Sequence, residues 1–551
     1  MSFSITVWRG FRRLLDQQLA LLPTKNRSPL EILIIATLGC VLAAAFKYPN
    51  RAFRTIARPD LKARKVDAPQ LPLVGSLVQM IRNQNRQLHF IHELFLEYGD
   101  FVSMSIPVVG RIHWVNNPKF MEHILKTNFD NYIKGDITSH QLSDILGNGI
   151  FVADGAVWRF HRKTAANIFT TRLYRDLVQG AFKSGAHNLC NVLDRHPGEA
   201  VDLQSLFLRL TLDAFGKLTF GLDFNSLVNE GPNEFGDEFD FLTSLIELRI
   251  MNPLWPLTDR ILFWRHLRKE RAIGVLNKWA TQAVQARRAE TEEEQGARRR
   301  DLLDHFITHQ NDDGTMLTDS ELNSIFVNFM IAGRDTTAQA LTWQFYSLMA
   351  DSRIMANIVH EIDTVLGRDE TKISYEILMN ELPYTKAVLH ETLRLHPPVP
   401  KNMKQVAADD VLPDGTPVYA GEMVGYSAWC MGRNKSVWGE DAGMFVPERW
   451  LVPRVTEDGT GTSKEGVSPF GKFKPESQFK FNSFNGGPRL CIGTTFAILE
   501  ALQTTCILLQ KYEFRLVPGH PIPEIKTSVS LPMKDGLMSI ATLRKPVTME
   551  E

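Results

Sequence analysis

The sequence predicts a mainly helical body with a small β component, one long central helix, and a membrane anchor ahead of it at the N-terminus. Three observations predict this. Apolar residues recur at helical spacing through most of residues 66–551, with only short strand-like stretches between them. A capping-box pattern at Thr318 and Glu321 opens a helical pattern that no proline interrupts until well past Met349. Near the start, Ile32 to Phe46 is apolar or small at every position except Thr37.

Composition sets the outer bounds. The chain has 551 residues, and its 62 Lys+Arg balance 62 Asp+Glu, so a broadly basic nucleic-acid binder is excluded. A hydrophobic content of 44% with ordinary glycine and proline usage argues against disorder and for a large core. The five cysteines (Cys40, Cys190, Cys430, Cys491, Cys506) are widely spaced and include no CxxC pair. That is neither a disulfide framework nor a zinc site, and it places the body in a reducing compartment.

The anchor is read from both sides of the apolar segment. Before it, Val7, Trp8, Phe11, Leu15, Leu19 and Leu22 recur at helical spacing among Arg9, Arg12, Arg13 and Asp16, a pattern suited to the headgroup layer. Ile32 to Phe46 is shorter than the ~20 residues of a comfortable span. Seven basic residues follow it (Lys47, Arg51, Arg54, Arg58, Lys62, Arg64, Lys65) against five before it, which orients the bulk of the chain to the cytosol. A signal peptide would begin its apolar stretch nearer Met1, and a mitochondrial presequence leaves that stretch unexplained. Pro59, Pro69 and Pro72 read as a hinge. Residues 1–65 are therefore expected to be a single-pass anchor with a basic linker, and 66–551 one body.

Within that body, strands are expected at Phe101–Val108, Ile112–Val115, Thr416–Val418 and Leu537–Leu543. The charged run Glu290–Asp301 reads as a solvated loop, and Gly459–Phe479 as a long irregular one. The capped helix runs for about 30 residues, or about 45 Å, enough to cross the molecule. Its middle reads Ala332-Gly333-Arg334-Asp335-Thr336-Thr337, a poor choice of residues for a helix centre. Such local rule-breaking marks a site in use. The Thr336 hydroxyl reaches back to the Ala332 carbonyl and opens the helical ladder beside Gly333.

Cys491 carries the chemistry. It lies in Phe484-Asn485-Gly486-Gly487-Pro488-Arg489-Leu490-Cys491-Ile492-Gly493, a turn that runs into an apolar helix expected at Thr494–Gln510. The helix N-terminus and Arg489 both favour a thiolate of lowered pKa. That thiolate suits a nucleophile, a redox thiol or a metal ligand, and no histidine base can be placed beside it.

The segment resembles FxxGxRxCxG of the cytochrome P-450 superfamily, at Phe484, Gly487, Arg489, Cys491 and Gly493. Ala332 to Thr337 is similar to the superfamily's [AG]Gx[DE]TT, Glu391 and Arg394 to ExxR, and Trp158 and Arg162 to WxxxR. Phe445 to Trp450 resembles the PERF element, with Trp450 in place of the phenylalanine. The resemblance implies haem b (iron protoporphyrin IX) with Cys491 as the axial iron ligand. It implies close approach of the loop to the porphyrin at Gly487 and Gly493, and packing of Phe484 beside the ligand. Trp158, Arg162 and Arg489 are expected to meet the propionates, with Lys404 a further candidate. Ala332 and Gly333 are expected to form an oxygen notch, with Asp335 and Thr336 organising water and protons. Glu391, Arg394 and Arg449 resemble the structural Glu–Arg–Arg triad that seats the haem.

Only 60 residues follow Cys491, too few for flavin domains, so electrons are expected from a separate protein. For an anchored member the resemblance implies an NADPH-dependent cytochrome P-450 reductase on the endoplasmic reticulum membrane, with cytochrome b5 as a second donor. Lys163, Lys472, Lys474 and Lys480 are candidates for the docking face. The stretches Leu146 to Phe151 and Pro397 to Trp450 look like the fatty-acid and alkane hydroxylase branch, which implies a monooxygenase acting on long hydrophobic chains, terminal attack included. The alternatives are a hydroperoxide isomerase or dehydratase, against which the Asp335–Thr336 pair argues, a haem sensor, or a member acting on sterols or other metabolites.

Overall fold

The structure is a computed structural model, and it describes residues 75–106, 109–229, 231–297, 301–309, 315–452 and 467–545. The expected anchor, its basic linker and Cys40 lie outside the described residues. Among the described residues no helix is long and apolar enough to cross a membrane.

The long helix organises the body. Thr318 accepts the Glu321 N–H, and the Glu321 carboxylate accepts the Thr318 N–H at 2.8 Å, so the capping box forms as the sequence predicts. An α-helical segment Asp319–Met330 is followed by a π-helical turn Ile331–Asp335 and a second α-helical segment Thr336–Ala350. The expected defect is thus a local widening of one continuous helix. Two hydroxyls take up the carbonyls beside it. Thr336 Oγ1 donates to Ala332 O at 2.6 Å, and Thr211 Oγ1 donates to Arg334 O at 2.8 Å. Thr211 belongs to the helix Leu203–Phe220, which packs along the long helix through Phe207 on Phe345 and Phe220 on Phe326.

Behind the cysteine, the helix Thr494–Lys511 is buried on nearly every face. Its polar side chains find partners inside the core: Gln503 Nε2 donates to Val178 O at 2.7 Å, and Thr505 Oγ1 accepts from Gln344 at 3.0 Å. Cys190, Cys430 and Cys506 are buried among apolar neighbours.

A five-stranded sheet flanks the helices, in the order Phe101–Ile106, Gly110–Val115, Met423–Tyr426, Asn402–Val406 and Tyr132–Ile133. Only Gly110–Val115 on Met423–Tyr426 is parallel. A second sheet pairs Tyr512–Leu516, Met538–Leu543 and Ala200–Asp202. The strands around 402 and 423 went unread in the sequence because their pairing is non-local.

One expected loop is corrected. Glu290–Asp301 contains a helix, Glu292–Ala297, because Thr291 and Glu294 form a reciprocal cap. Asp301 is not solvated either. It holds Arg287 through two bonds of 2.7 and 2.6 Å and caps the next helix, Leu302–Ile307. In the Gly459–Phe479 stretch, residues 467–479 carry a short strand, Lys472–Phe473, paired with Leu451–Val452.

Glu500, on the cysteine helix, is 1% exposed. Burial pushes its pKa up to about 8 against a smaller opposing pull from the Thr337 hydroxyl. The fold therefore favours the neutral acid. As pH rises from 4.5 towards 8 the unfolded chain ionises while the folded one resists, so stability falls across that window. The loss approaches about 1.4 kcal/mol per pH unit. Glu500→Gln lacks this loss, so the stability difference between variant and native chain should grow from pH 5 to pH 8. Thermal or denaturant unfolding at both pH values measures it, and a difference that stays flat contradicts the assignment.

Candidate active site

The loop that presents Cys491 is closed by its own backbone. The Cys491 N–H donates to Phe484 O at 2.9 Å, and Asn485 and Gly487 adopt left-handed φ values of 64° and 61°. A Cβ at Gly487 would sit 1.8 Å from the Leu125 carbonyl oxygen. Glycine at 487 is thus required by backbone geometry and by protein packing, a reason the sequence reading did not contain. At Gly493 a Cβ would meet only Cys491 Sγ, at an ordinary 3.8 Å. Phe484 lines the cavity in front of the sulfur, with its ring edge-on to Phe481.

Cys491 is exposed to that cavity and shut off from bulk solvent. Burial pushes the thiol pKa up, while the Gly493 backbone, the Thr494 hydroxyl and the Arg162 guanidinium pull it down. Among the cations, Arg162 acts on the sulfur, where the sequence pointed to Arg489. No histidine lines the cavity among the described residues, so a nucleophile with a histidine base is not assembled.

The opposite wall comes from the π turn. Ala332, Gly333 and Thr336 all line the cavity facing Cys491. A Cβ at Gly333 would lie 2.2 Å from the Phe215 ring, so this glycine too answers to a packed neighbour. Asp335 is buried and bonded to Arg334 Nη1 at 2.7 Å, and Arg334 also reaches Asp240 at 2.6 Å. Burial pushes the Asp335 pKa up, with Arg334 opposing. Asp335 and Thr336 also line a second cavity, walled by Phe90, Ile112, Leu142, Ile246 and Met423. Thr336 is thus common to both spaces.

The cysteine cavity is ringed by cations that lack enough anions. Trp158 and Arg162 line it from one helix, Gly155–Ala166. The Arg489 guanidinium lies over the Trp158 ring, 4.5 Å from its centroid, and donates to Asp154 at 2.7 Å and Ala153 O at 2.9 Å. Its Nε is buried with no partner, as is Nζ of Lys404, which is 1% exposed. Lys134 lines both cavities, and burial pushes its pKa down to about 8. Arg162, Arg489, Lys404 and Lys134 are set against Asp154, which also accepts the Lys134 and Gly135 N–H groups. Orphaned buried donors of one sign call for an anionic group in the cavity. A flat apolar macrocycle with two carboxylates, facing a cysteine sulfur, fits that donor set. Lys134 and Asp154 were missed in the sequence, since neither lies within a motif.

Glu391 is the centre of a buried network. Its carboxylate accepts Arg394 Nε and Nη2, both at 2.7 Å, Arg449 Nε at 3.0 Å and the Val446 N–H at 2.7 Å. Trp450 Nε1 adds a fifth donor at 2.9 Å. The residue read as a departure from PERF therefore completes the network, which the indole N–H itself signalled. Arg394 also bonds the carbonyls of Gly432, Ala442 (2.6 Å) and Met444 (2.8 Å).

A family model described as Cytochrome P450 matches residues 67–540. The chain is 33% identical to Cytochrome P450 monooxygenase cyp1 of Mycosarcoma maydis, over 96% of this chain and 82% of the relative. It is 33% identical to Cytochrome P450 704B1 of Arabidopsis thaliana, over 85% of this chain and 93% of the relative. It is 30% identical to Cytochrome P450 94A1 of Vicia sativa, over 81% of this chain and 84% of the relative.

Trp450→Phe removes one donor from a buried carboxylate, and we expect it to lower stability by about 1–3 kcal/mol. Denaturant unfolding of the two proteins measures this. An unchanged midpoint would show that the indole bond contributes nothing.

Proposed function

Because this chain belongs to the cytochrome P450 family and is a monooxygenase, we propose that it inserts one atom of O2 into long aliphatic chains, fatty acids or alkanes, terminal carbon included. The observation that carries the substrate class is the second cavity, whose surface is mostly apolar and which meets the cysteine cavity at Lys134, Phe151, Thr336, Val399 and Asn402. Family membership brings a haem cofactor and electrons supplied by a reductase. Haem, when bound, supplies the dioxygen chemistry.

The residues divide the remaining work. Cys491 would hold the haem iron through its sulfur, beside the Gly493 backbone, the Thr494 hydroxyl and Arg162, which oppose the burial that pushes the thiol pKa up. Trp158, Arg162, Arg489 and Lys404, joined by Lys134, hold the propionates. The Thr336 hydroxyl, held on Ala332 O, and the Asp335 carboxyl, whose pKa burial pushes up against the pull of Arg334, move protons at the distal wall. Glu391, Arg394, Arg449 and Trp450 seat the cysteine loop without touching the reacting atoms.

The electron donor in this reading is an NADPH-dependent flavoprotein reductase, with cytochrome b5 as a second donor. Lys163, Lys472 and Lys474 are exposed and available for docking. Lys480 is half-engaged, paired with Glu476 at 3.0 Å and stacked on Trp438. Residues 1–65 serve as the anchor to the endoplasmic reticulum membrane. A bilayer location is supported by the described residues as well. Leu257, Ile261, Phe263, Trp264 and Leu267, on the helices Trp255–Ile261 and Phe263–Ala289, are each more than half exposed, with Arg260 and Arg268 beside them. An apolar ridge edged by guanidinium groups suits an anionic lipid interface.

The haem-loaded chain, supplied with reductase, NADPH and a panel of C12 to C18 acids and alkanes, should yield hydroxylated chains. Thr336→Val should lower product formed per NADPH consumed by on the order of tenfold or more. Turnover of sterols or aromatics with no aliphatic product would overturn the substrate class. Separately, Phe263→Asp with Trp264→Asp, in a chain lacking residues 1–65, should lose sedimentation with anionic vesicles while keeping its carbonyl spectrum. Undiminished vesicle binding removes the ridge from the membrane reading.

A further inference from the structure

Away from Asp335 and Thr336, the mostly apolar cavity contains a second hydrogen-bonded polar cluster. Lys401 Nζ donates to Glu247 Oε1 at 2.5 Å and to Gln87 Oε1, and its third close contact is the thioether sulfur of Met251 at 3.7 Å. All four residues line the cavity, and the Lys401 and Glu247 side chains are 10% and 8% exposed. They come from three separate parts of the chain: the helix Gln87–Tyr98, the helix Glu234–Met251, and the turn after Pro400.

An ammonium carries three N–H donors, and a thioether is a weak acceptor. Two donors are therefore held by oxygen acceptors, and the third meets only the weak Met251 thioether, which a guest oxygen would displace. The charge of Lys401 is already matched by Glu247, so the site offers a donor without net positive charge. A guest carboxylate would share one ammonium with Glu247 in an apolar space, where like charges repel strongly. Asp335, on the same wall, is held by the Arg334 guanidinium and offers a guest no free positive charge either. The other ammonium there, Lys134, stands with Arg489 and Asp154 in the cation set of the cysteine cavity. A hydroxyl or ester oxygen accepts the third N–H with no such conflict.

We propose that Lys401, held by Glu247 and Gln87, is the head-group donor of the substrate cavity, and that it selects long chains ending in an uncharged oxygen function, an alcohol or ester, over free carboxylates. The inference rests on the aliphatic reading above and narrows it.

The test uses the haem-loaded full chain with dodecanol, methyl dodecanoate, dodecanoate and dodecane. Binding is read from the displacement of the haem absorption band, and kcat/KM from product. The native protein should bind dodecanol and the methyl ester more tightly than dodecanoate at pH 8. Glu247→Gln leaves the ammonium uncompensated, and should raise dodecanoate affinity relative to dodecanol by about tenfold or more. Lys401→Met combined with Glu247→Gln removes the donor without changing net charge. It should cut the preference for dodecanol over dodecane by about three- to tenfold, and it keeps the test open should the single variant lose haem. A native preference for dodecanoate, an unchanged ratio in Glu247→Gln, or full alcohol preference in the double variant each overturns the proposal. If no C12 chain binds at all while the carbonyl spectrum is normal, the aliphatic reading fails first and takes the inference with it.

Discussion

The geometry of the site depends on one buried carboxylate. Glu391 is wholly buried, and an ionised acid is tolerable there only because five N–H donors meet it. Those donors come from the helix Pro383–Leu395 and from Val446 to Trp450, so the charge ties two stretches of chain together. The same helix then holds the cysteine loop, since Ser483 Oγ donates to Leu393 O at 2.7 Å. The position of Cys491 is thus inherited, through two hydrogen-bonded steps, from a group that never faces the cavity. Removing one partner from such a cluster leaves an unpaired buried charge and costs about 3–5 kcal/mol.

The distal wall is held by a different device. A π turn leaves a helix with carbonyls its own ladder no longer satisfies, and here Thr336 and Thr211 supply hydroxyls to two of them. One hydroxyl is internal and faces the cavities, whereas the other comes from a neighbouring helix. The widening is therefore stable against that neighbour, with the Phe215 ring against Gly333 filling the space where any larger residue would close it.

How much of this was legible follows from the range of each interaction. The capping box, the hydroxyl-to-carbonyl bond at Thr336 and the i, i+3 pairing of Glu391 with Arg394 are local, and the sequence displays them directly. The cysteine loop was legible because its turn is short and its residue types are unusual together. What failed was non-local. Gly487 and Gly333 are glycines because of Leu125 and Phe215, which lie far away in the chain. At Cys491 the helix terminus is visible in sequence while the burial that opposes it, and the part played by Arg162, are not. Lys134 and Asp154 carry no motif, and their meeting with Arg489 is created by folding alone. Trp450 was seen as a substitution, yet its partner could be named only once the helix and the PERF-like turn were brought together.

The two cavities differ in charge, and that difference explains their division of labour. Around the cysteine, Lys134, Arg162 and Arg489 line the space, Lys404 is buried near Lys134 and Arg489, and two buried donors stay unpaired, a set that suits an anion. In the second cavity Lys401 and Glu247 pair with each other, Asp335 is held by Arg334, and most of the remaining surface is apolar. A chain entering there gains by desolvation along its length, while any charged end loses hydration with nothing of net opposite sign to replace it. Lys134 stands on the boundary between the two spaces. On the proposed reading, its charge would serve the cofactor's acids, and a long uncharged guest against Thr336 would not compete for the cations proposed to hold the haem.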